Sequence, residues 1–133
     1  MDRSISLFRQ KYSIDDESPL ILYAGGLGKY RGLDLLIKSV SKLKNAKSVL
    51  IFMGDGLLEE TLKSYAAQLR ISDRVFFNGS VPFDEVSLWL KGATVGVHPM
   101  EGVNLNHQFA LPNKLFDYLN ADVPVVTSDM VEM

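Results

Sequence analysis

A chain of 133 residues with 47% hydrophobic and 23% charged residues can build one folded domain with a real core, which excludes a disordered chain. A formal net charge of −2, with no basic run and no aromatic platform of RNA-binding type, argues against nucleic acid as the main partner. With no cysteine there is no disulfide or thiol chemistry; no apolar run approaches the ~20 residues of a membrane span, and Met1-Asp2-Arg3-Ser4 lacks a signal-peptide core, so a cytoplasmic domain is expected.

Residues 1–18 read as a linker with a small amphipathic helix carrying Ile5, Leu7, Phe8 and Tyr12, and residues 19–133 as the domain proper. Residues 20–24 form an apolar run ending at Gly25-Gly26, a buried-strand signal. Leu33, Leu36, Ile37, Val40 and Leu43 then recur at helical spacing, with Lys38, Lys42 and Lys44 mostly on the opposite side. A second strand is expected over 48–53, closed by Gly54-Asp55-Gly56, before a helix with Leu58, Leu62, Tyr65, Ala66 and Leu69 on one face. A third strand over 74–77 stops at Asn78-Gly79, and Pro82-Phe83-Asp84-Glu85 opens a helix that turns Val86, Trp89 and Leu90 inward. Strands over 94–97 and 123–126 flank a helix from Asn113. The aromatic residues, Phe76, Phe77, Phe83 and Trp89 among them, are assigned by default to the core.

The strand-like runs are continuously apolar, as when helices cover both faces of a sheet. Strand and helix alternate along the chain, so the expected fold is α/β: a doubly wound, Rossmann-like parallel sheet. Ligands of such sheets bind beyond the carboxyl ends of the strands, which selects the loops 25–32, 54–57, 78–82 and 98–112.

The first of these loops, Gly25-Gly26-Leu27-Gly28-Lys29-Tyr30-Arg31-Gly32, combines glycines that admit a ligand to the backbone with cations suited to phosphate. It matches neither a Walker loop nor the usual dinucleotide fingerprint, and a plain βα turn is an equal reading of the loop alone. Gly54-Asp55-Gly56 and Asn78-Gly79-Ser80 read first as turns that could also shape a nucleoside pocket. His98 and His107 lack metal-ligand spacing, no nucleophile elbow accompanies them, and nothing fixes the separation of Glu101 and Asp117 that a glycosidase pair would need. The segment 98–126 is the richest. Pro112 suits the first turn of a helix whose amides, with Lys114, would attract phosphate, while Asn113, Lys114, Asp117 and Tyr118 share one face.

In series, Leu22-Tyr23-Ala24-Gly25-Gly26-Leu27, Arg31-Gly32-Leu33-Asp34-Leu35-Leu36-Ile37, Ile51-Phe52-Met53-Gly54-Asp55-Gly56, Arg74-Val75-Phe76-Phe77-Asn78-Gly79-Ser80-Val81, Leu111-Pro112-Asn113-Lys114-Leu115-Phe116-Asp117-Tyr118-Leu119 and Val123-Pro124-Val125-Val126 carry a resemblance. They resemble the C-terminal, donor-binding domain of retaining group 1 glycosyltransferases, one half of a GT-B fold. The resemblance implies a nucleotide-diphosphate sugar, UDP-type, as substrate, with no cofactor or metal, and a role in polysaccharide or glycan biosynthesis. It places Arg31 on the pyrophosphate and Asp117 on the ribose, with Gly54 and the segment 77–81 along the nucleoside; Lys114 is a second phosphate ligand on physical grounds. The implied binding set is Gly25, Gly26, Arg31, Gly54, Phe77, Asn113, Lys114 and Asp117, with no catalytic residue assigned.

The chain departs from the family pattern at several positions. Gly26 stands where many members have arginine, and Phe109 where the first acid of the Glu-x7-Glu pattern falls. Asp117 replaces the second Glu, and Asp122 takes a common helix-end glycine position. The length implies an incomplete donor half, whose missing N-terminal acceptor domain would be its partner and would make any membrane contact. The isolated chain is accordingly expected to be inactive. Two alternatives stay open: a GT-B nucleotide-sugar epimerase or hydrolase fragment, and a flavodoxin-like regulatory domain. Against the latter, Gly25-Gly26-Leu27-Gly28-Lys29 stands where an acidic phospho-acceptor cluster belongs.

Overall fold

In the computed structural model, which describes residues 6–28, 32–98 and 123–127, the apolar run Leu20–Ala24 forms the central strand β1. It pairs in parallel with β2 (Val49–Met53) on one side and β4 (Val95–His98) on the other. β3 (Val75–Phe77) continues the sheet beyond β2, and β5 (Val125–Thr127) beyond β4. The order is therefore β3-β2-β1-β4-β5, all parallel, reversing direction between β1 and β4. This is the expected doubly wound α/β sheet.

The pleat sorts the side chains. Ile21, Tyr23, Leu50, Phe52, Val75 and Val97 point to one face, which α2 (Leu33–Ser41) and α3 (Glu59–Gln68) cover with Leu33, Leu36, Ile37, Val40, Leu62 and Ala66. Leu20, Leu22, Ala24, Val49, Ile51 and Met53 point to the other, under α1 (Leu7–Tyr12) and α4 (Val86–Leu90). Every residue of β1 and β2 is buried, because both faces are roofed. Each such large side chain contributes about 1.5–3 kcal/mol relative to exposure. On the outer face of α3, Lys63 donates to Glu59 at 3.0 Å, and that bond is the main reason its pKa is raised above the ordinary lysine value.

The small helix expected within residues 1–18 is built into the fold. Ser6 caps α1 by accepting from the Arg9 amide at 3.3 Å, and Phe8 is 1% exposed beneath Trp89. The Arg9 guanidinium donates to the carbonyls of Asp15 and Ser18 at 2.6 and 2.8 Å, fastening the approach to β1.

Several boundaries differ from the sequence expectation. α2 stops at Ser41, so Leu43 falls past its end and is 43% exposed. Pro82 is followed by a 3-10 turn, Phe83–Glu85, before α4 starts at Val86. That turn leaves Phe83, assigned to the core by its aromatic character, 92% exposed; Val86, Leu90 and Trp89 do pack inward. β5 starts at Val125 because Pro124 has no N–H to give the ladder and serves only as acceptor, from Gly96 at 2.7 Å. The helix expected from Asn113 lies outside the described residues.

Candidate functional site

The loops that leave β1 and β2 are joined to each other. Beyond the strands the Gly25 amide donates to the Met53 carbonyl and the Leu27 amide to the Asp55 carbonyl, both at 3.0 Å. The Leu58 amide returns to the Leu27 carbonyl at 3.0 Å. The glycines permit this contact. A Cβ at Gly54 would lie 1.9 Å from the Gly25 carbonyl oxygen, and one at Gly56 would lie 2.3 Å from that of Leu27. The Tyr23 hydroxyl, rising from the sheet, donates to the Gly26 carbonyl at 2.8 Å. The described part of the first loop, residues 25–28, is thus a fastened layer of backbone at the carboxyl end of the sheet.

The loop after β3 forms a wall against this layer. The Asn78 amide donates to the Phe52 carbonyl at 2.9 Å, carrying the ladder one residue past β3. The chain then turns at Gly79, and the Ser80 hydroxyl donates to the Asp55 carboxylate at 2.6 Å. Between floor and wall lies a cleft of about 270 Å3, lined by Gly25 and Gly26, Met53 to Asp55, Ser80 and Val81, with Val86 behind. It opens at the carboxyl ends of β1, β2 and β3, the end at which an open α/β sheet takes its ligand. On the neighbouring turns Leu57 and Phe83, 97% and 92% exposed, add apolar surface to this end of the molecule.

Of the sequence-assigned residues, Gly25, Gly26 and Gly54 meet in this cleft. Phe77 is not part of its lining. The strand alternation that puts Phe76 on the α1 side turns Phe77 to the α3 side, where it stacks on Phe52 at 4.9 Å between ring centroids. Arg31, Asn113, Lys114 and Asp117 lie outside the described residues, as do Lys29, Glu101, His107 and Phe109. Asp55, Ser80 and Val86 are lining residues the sequence did not single out individually. Asp55 and Ser80 stand inside turn motifs that the topology rule had selected, but their bond joins two loops 25 residues apart and has no local signature. Among the described residues no group of three or more His, Cys, Asp or Glu side chains could hold a metal ion, and no helix is long and apolar enough to cross a membrane.

A parallel, doubly wound sheet with a backbone-floored cleft at its strand ends is a Rossmann-like α/β unit. The chain belongs to the family of group 1 glycosyl transferases, which it matches over residues 4–133. It is 30% identical over 93 residues to the uncharacterized glycosyltransferase MJ1607 of Methanocaldococcus jannaschii, covering 69% of this chain and 24% of that protein. Its fold is shared by WaaG, a glycosyltransferase involved in lipopolysaccharide biosynthesis, with a TM-score of 0.75 at 22% identity over 96% of this chain and 33% of WaaG. It is shared equally by Anabaena HepE in complex with UDP and glucose, with a TM-score of 0.74 at 18% identity over 93% of this chain and 33% of HepE. The chain thus spans about a quarter of the curated relative and a third of each of these two solved structures.

Proposed function

We propose that this chain is the C-terminal, donor-binding part of a retaining glycosyltransferase, and that it takes a nucleotide-diphosphate sugar, UDP-type, into the cleft at the ends of β1 and β2. The observation that carries the reading is the floor itself: two loops whose backbones approach so closely at Gly54 and Gly56 that no side chain fits between them. Because the two loops already hold each other, the cleft they floor needs no rearrangement to receive a ligand. The HepE complex supports a uridine nucleotide as the probe to try first.

In this reading Arg31, Lys114 and the amides near Asn113 meet the diphosphate charge that develops as the glycosidic bond breaks, without a metal, and Asp117 holds the ribose hydroxyls. Gly25, Gly26 and Gly54 lie under the phosphates and the start of the nucleoside; the segment 77–81 borders the base, with Ser80 and Val81 as its cleft-facing members. The remainder of the protein would supply the acceptor wall and any membrane contact, with the whole working in the cytoplasm on a polysaccharide or other glycan. The exposed Leu57 and Phe83 suit a surface that another part of the protein covers. By itself the chain binds nucleotide weakly and transfers no sugar, because nothing excludes water from an open cleft.

Titration of the chain with UDP, GDP and ADP, followed by calorimetry and amide NMR, tests this. The expected result is saturable shifts at Gly25, Gly26, Gly54 and Ser80 with one diphosphate preferred. Absence of shifts there at millimolar concentration of all three would overturn the reading.

A further inference from the structure

α1 reaches the cleft wall through one side chain. The Asn78 carbonyl oxygen Oδ1 accepts from Lys11 Nζ at 2.5 Å and from Tyr12 Oη at 2.7 Å, while the Asn78 backbone amide is committed to the Phe52 carbonyl at 2.9 Å. An amide oxygen has two lone pairs, so the two donors saturate it. Rotating the amide by half a turn would set an NH2 group against a lysine that can only donate, so the side chain is locked in one orientation. Its Nδ2 donates to the Gly79 carbonyl at 3.3 Å, and the next residue, Ser80, makes the 2.6 Å bond to Asp55 across the cleft. The far end of the chain of contacts is equally fixed. The Tyr12 ring stacks on Phe76 at 4.5 Å, Lys11 Nζ stands 5.3 and 5.7 Å from the Tyr12 and Trp89 ring centres, and Phe8 is buried against Trp89 at 4.8 Å.

We infer that Lys11 and Tyr12 are positioning residues for ligand binding: acting through Asn78, they hold the Gly79–Val81 wall against the floor of the cleft. The inference rests on the donor-site reading above and adds to it a specificity role, since the wall they set is the one assigned to the nucleoside and not to the phosphates. It also gives α1, which precedes the sheet in sequence and sits beneath it in space, a mechanical link to the site. A displacement of α1 that withdraws the two donors frees Asn78, and with it the turn that carries Ser80.

The test is the double substitution Lys11→Met, Tyr12→Phe, which removes both donors and keeps the apolar stems and the ring that pack on Phe76 and Trp89. Hydrogen exchange without ligand should accelerate at Asn78, whose amide makes the 2.9 Å bond to the Phe52 carbonyl, and stay unchanged in the amides of β2 and α3, the internal control for folding. UDP affinity should fall about tenfold, the factor that follows when the binding-competent fraction of the wall drops to about one in ten. Inorganic pyrophosphate affinity should change less than about twofold, because it does not reach the nucleoside wall. Unchanged exchange at Asn78 overturns the coupling. Faster exchange with unchanged UDP affinity, or equal losses for UDP and pyrophosphate, overturns the positioning role. Failure of the native chain to bind UDP at all is a different result, which refutes the donor-site reading and the role built on it together.

Discussion

Substituting Gly54→Ala tests the floor of the cleft directly. The added Cβ would stand 1.9 Å from the Gly25 carbonyl oxygen and 2.8 Å from its carbonyl carbon, both main-chain atoms that no side-chain rotation can move aside. Reaching ordinary van der Waals separation requires the two loops to part by more than about 1 Å. Overpacking of this kind costs about 1–3 kcal/mol, and parting the loops strains the 3.0 Å bond from the Gly25 amide to the Met53 carbonyl, worth about 1 kcal/mol more. A loss of about 2–4 kcal/mol in urea unfolding, or roughly 10 °C in Tm, is therefore expected. UDP affinity should fall at least about tenfold, the equivalent of one main-chain hydrogen bond displaced from the ligand. Gly79→Ala is the control. Its Cβ meets only Asp55 Oδ1, at an ordinary 3.5 Å, but its φ of +81° disfavours a side chain by about 1 kcal/mol. If Gly54→Ala unfolds within about 0.5 kcal/mol of the native chain, or is no worse than Gly79→Ala, the close approach is not what the glycine serves and the argument is wrong.

Phe8→Ala should cost about 3–5 kcal/mol in urea unfolding, since it empties a site that is 1% exposed between α1, α4 and the sheet; a loss under about 1 kcal/mol would mean α1 contributes little to the fold. Phe83→Ser, at a position 92% exposed, should change stability by no more than about 0.5 kcal/mol, and a Tm shift beyond 2–3 °C would place that ring in the core after all. Arg31→Gln and Lys114→Gln should each weaken UDP by about tenfold or more and uridine hardly at all, as expected for charged hydrogen bonds to the diphosphate. Equal losses for nucleotide and nucleoside would contradict both phosphate assignments.

The alternation of apolar runs and helical stripes determined the fold class, because a strand roofed on both faces must be apolar throughout, and the runs 20–24 and 49–53 are. The order of the strands, β3-β2-β1-β4-β5, was set by the structure, since the same alternation fits other parallel orders. The glycines at 25, 26 and 54 were placed at the ligand end of the sheet by topology and by the family resemblance, since their loops alone read equally well as plain βα turns. The sequence failed where a boundary or a direction depended on a single residue. Phe77 carried two readings, core by default and nucleoside wall by resemblance; the pleat turns its ring to α3 and onto Phe52, as the core reading expects. Phe83 was assigned to the core on aromatic character, yet a 3-10 turn after Pro82 puts it in solvent.

What only the tertiary structure decided is how the loops hold one another. The bond between Ser80 and Asp55, the close packing of Gly54 on Gly25, and the two donors that α1 sends to Asn78 join residues between 25 and 67 positions apart. Periodicity reads only the hydrophobic face of an element against its own neighbours in the chain. Contacts between loops depend on where strand register brings their backbones, and that register exists only once the sheet has formed.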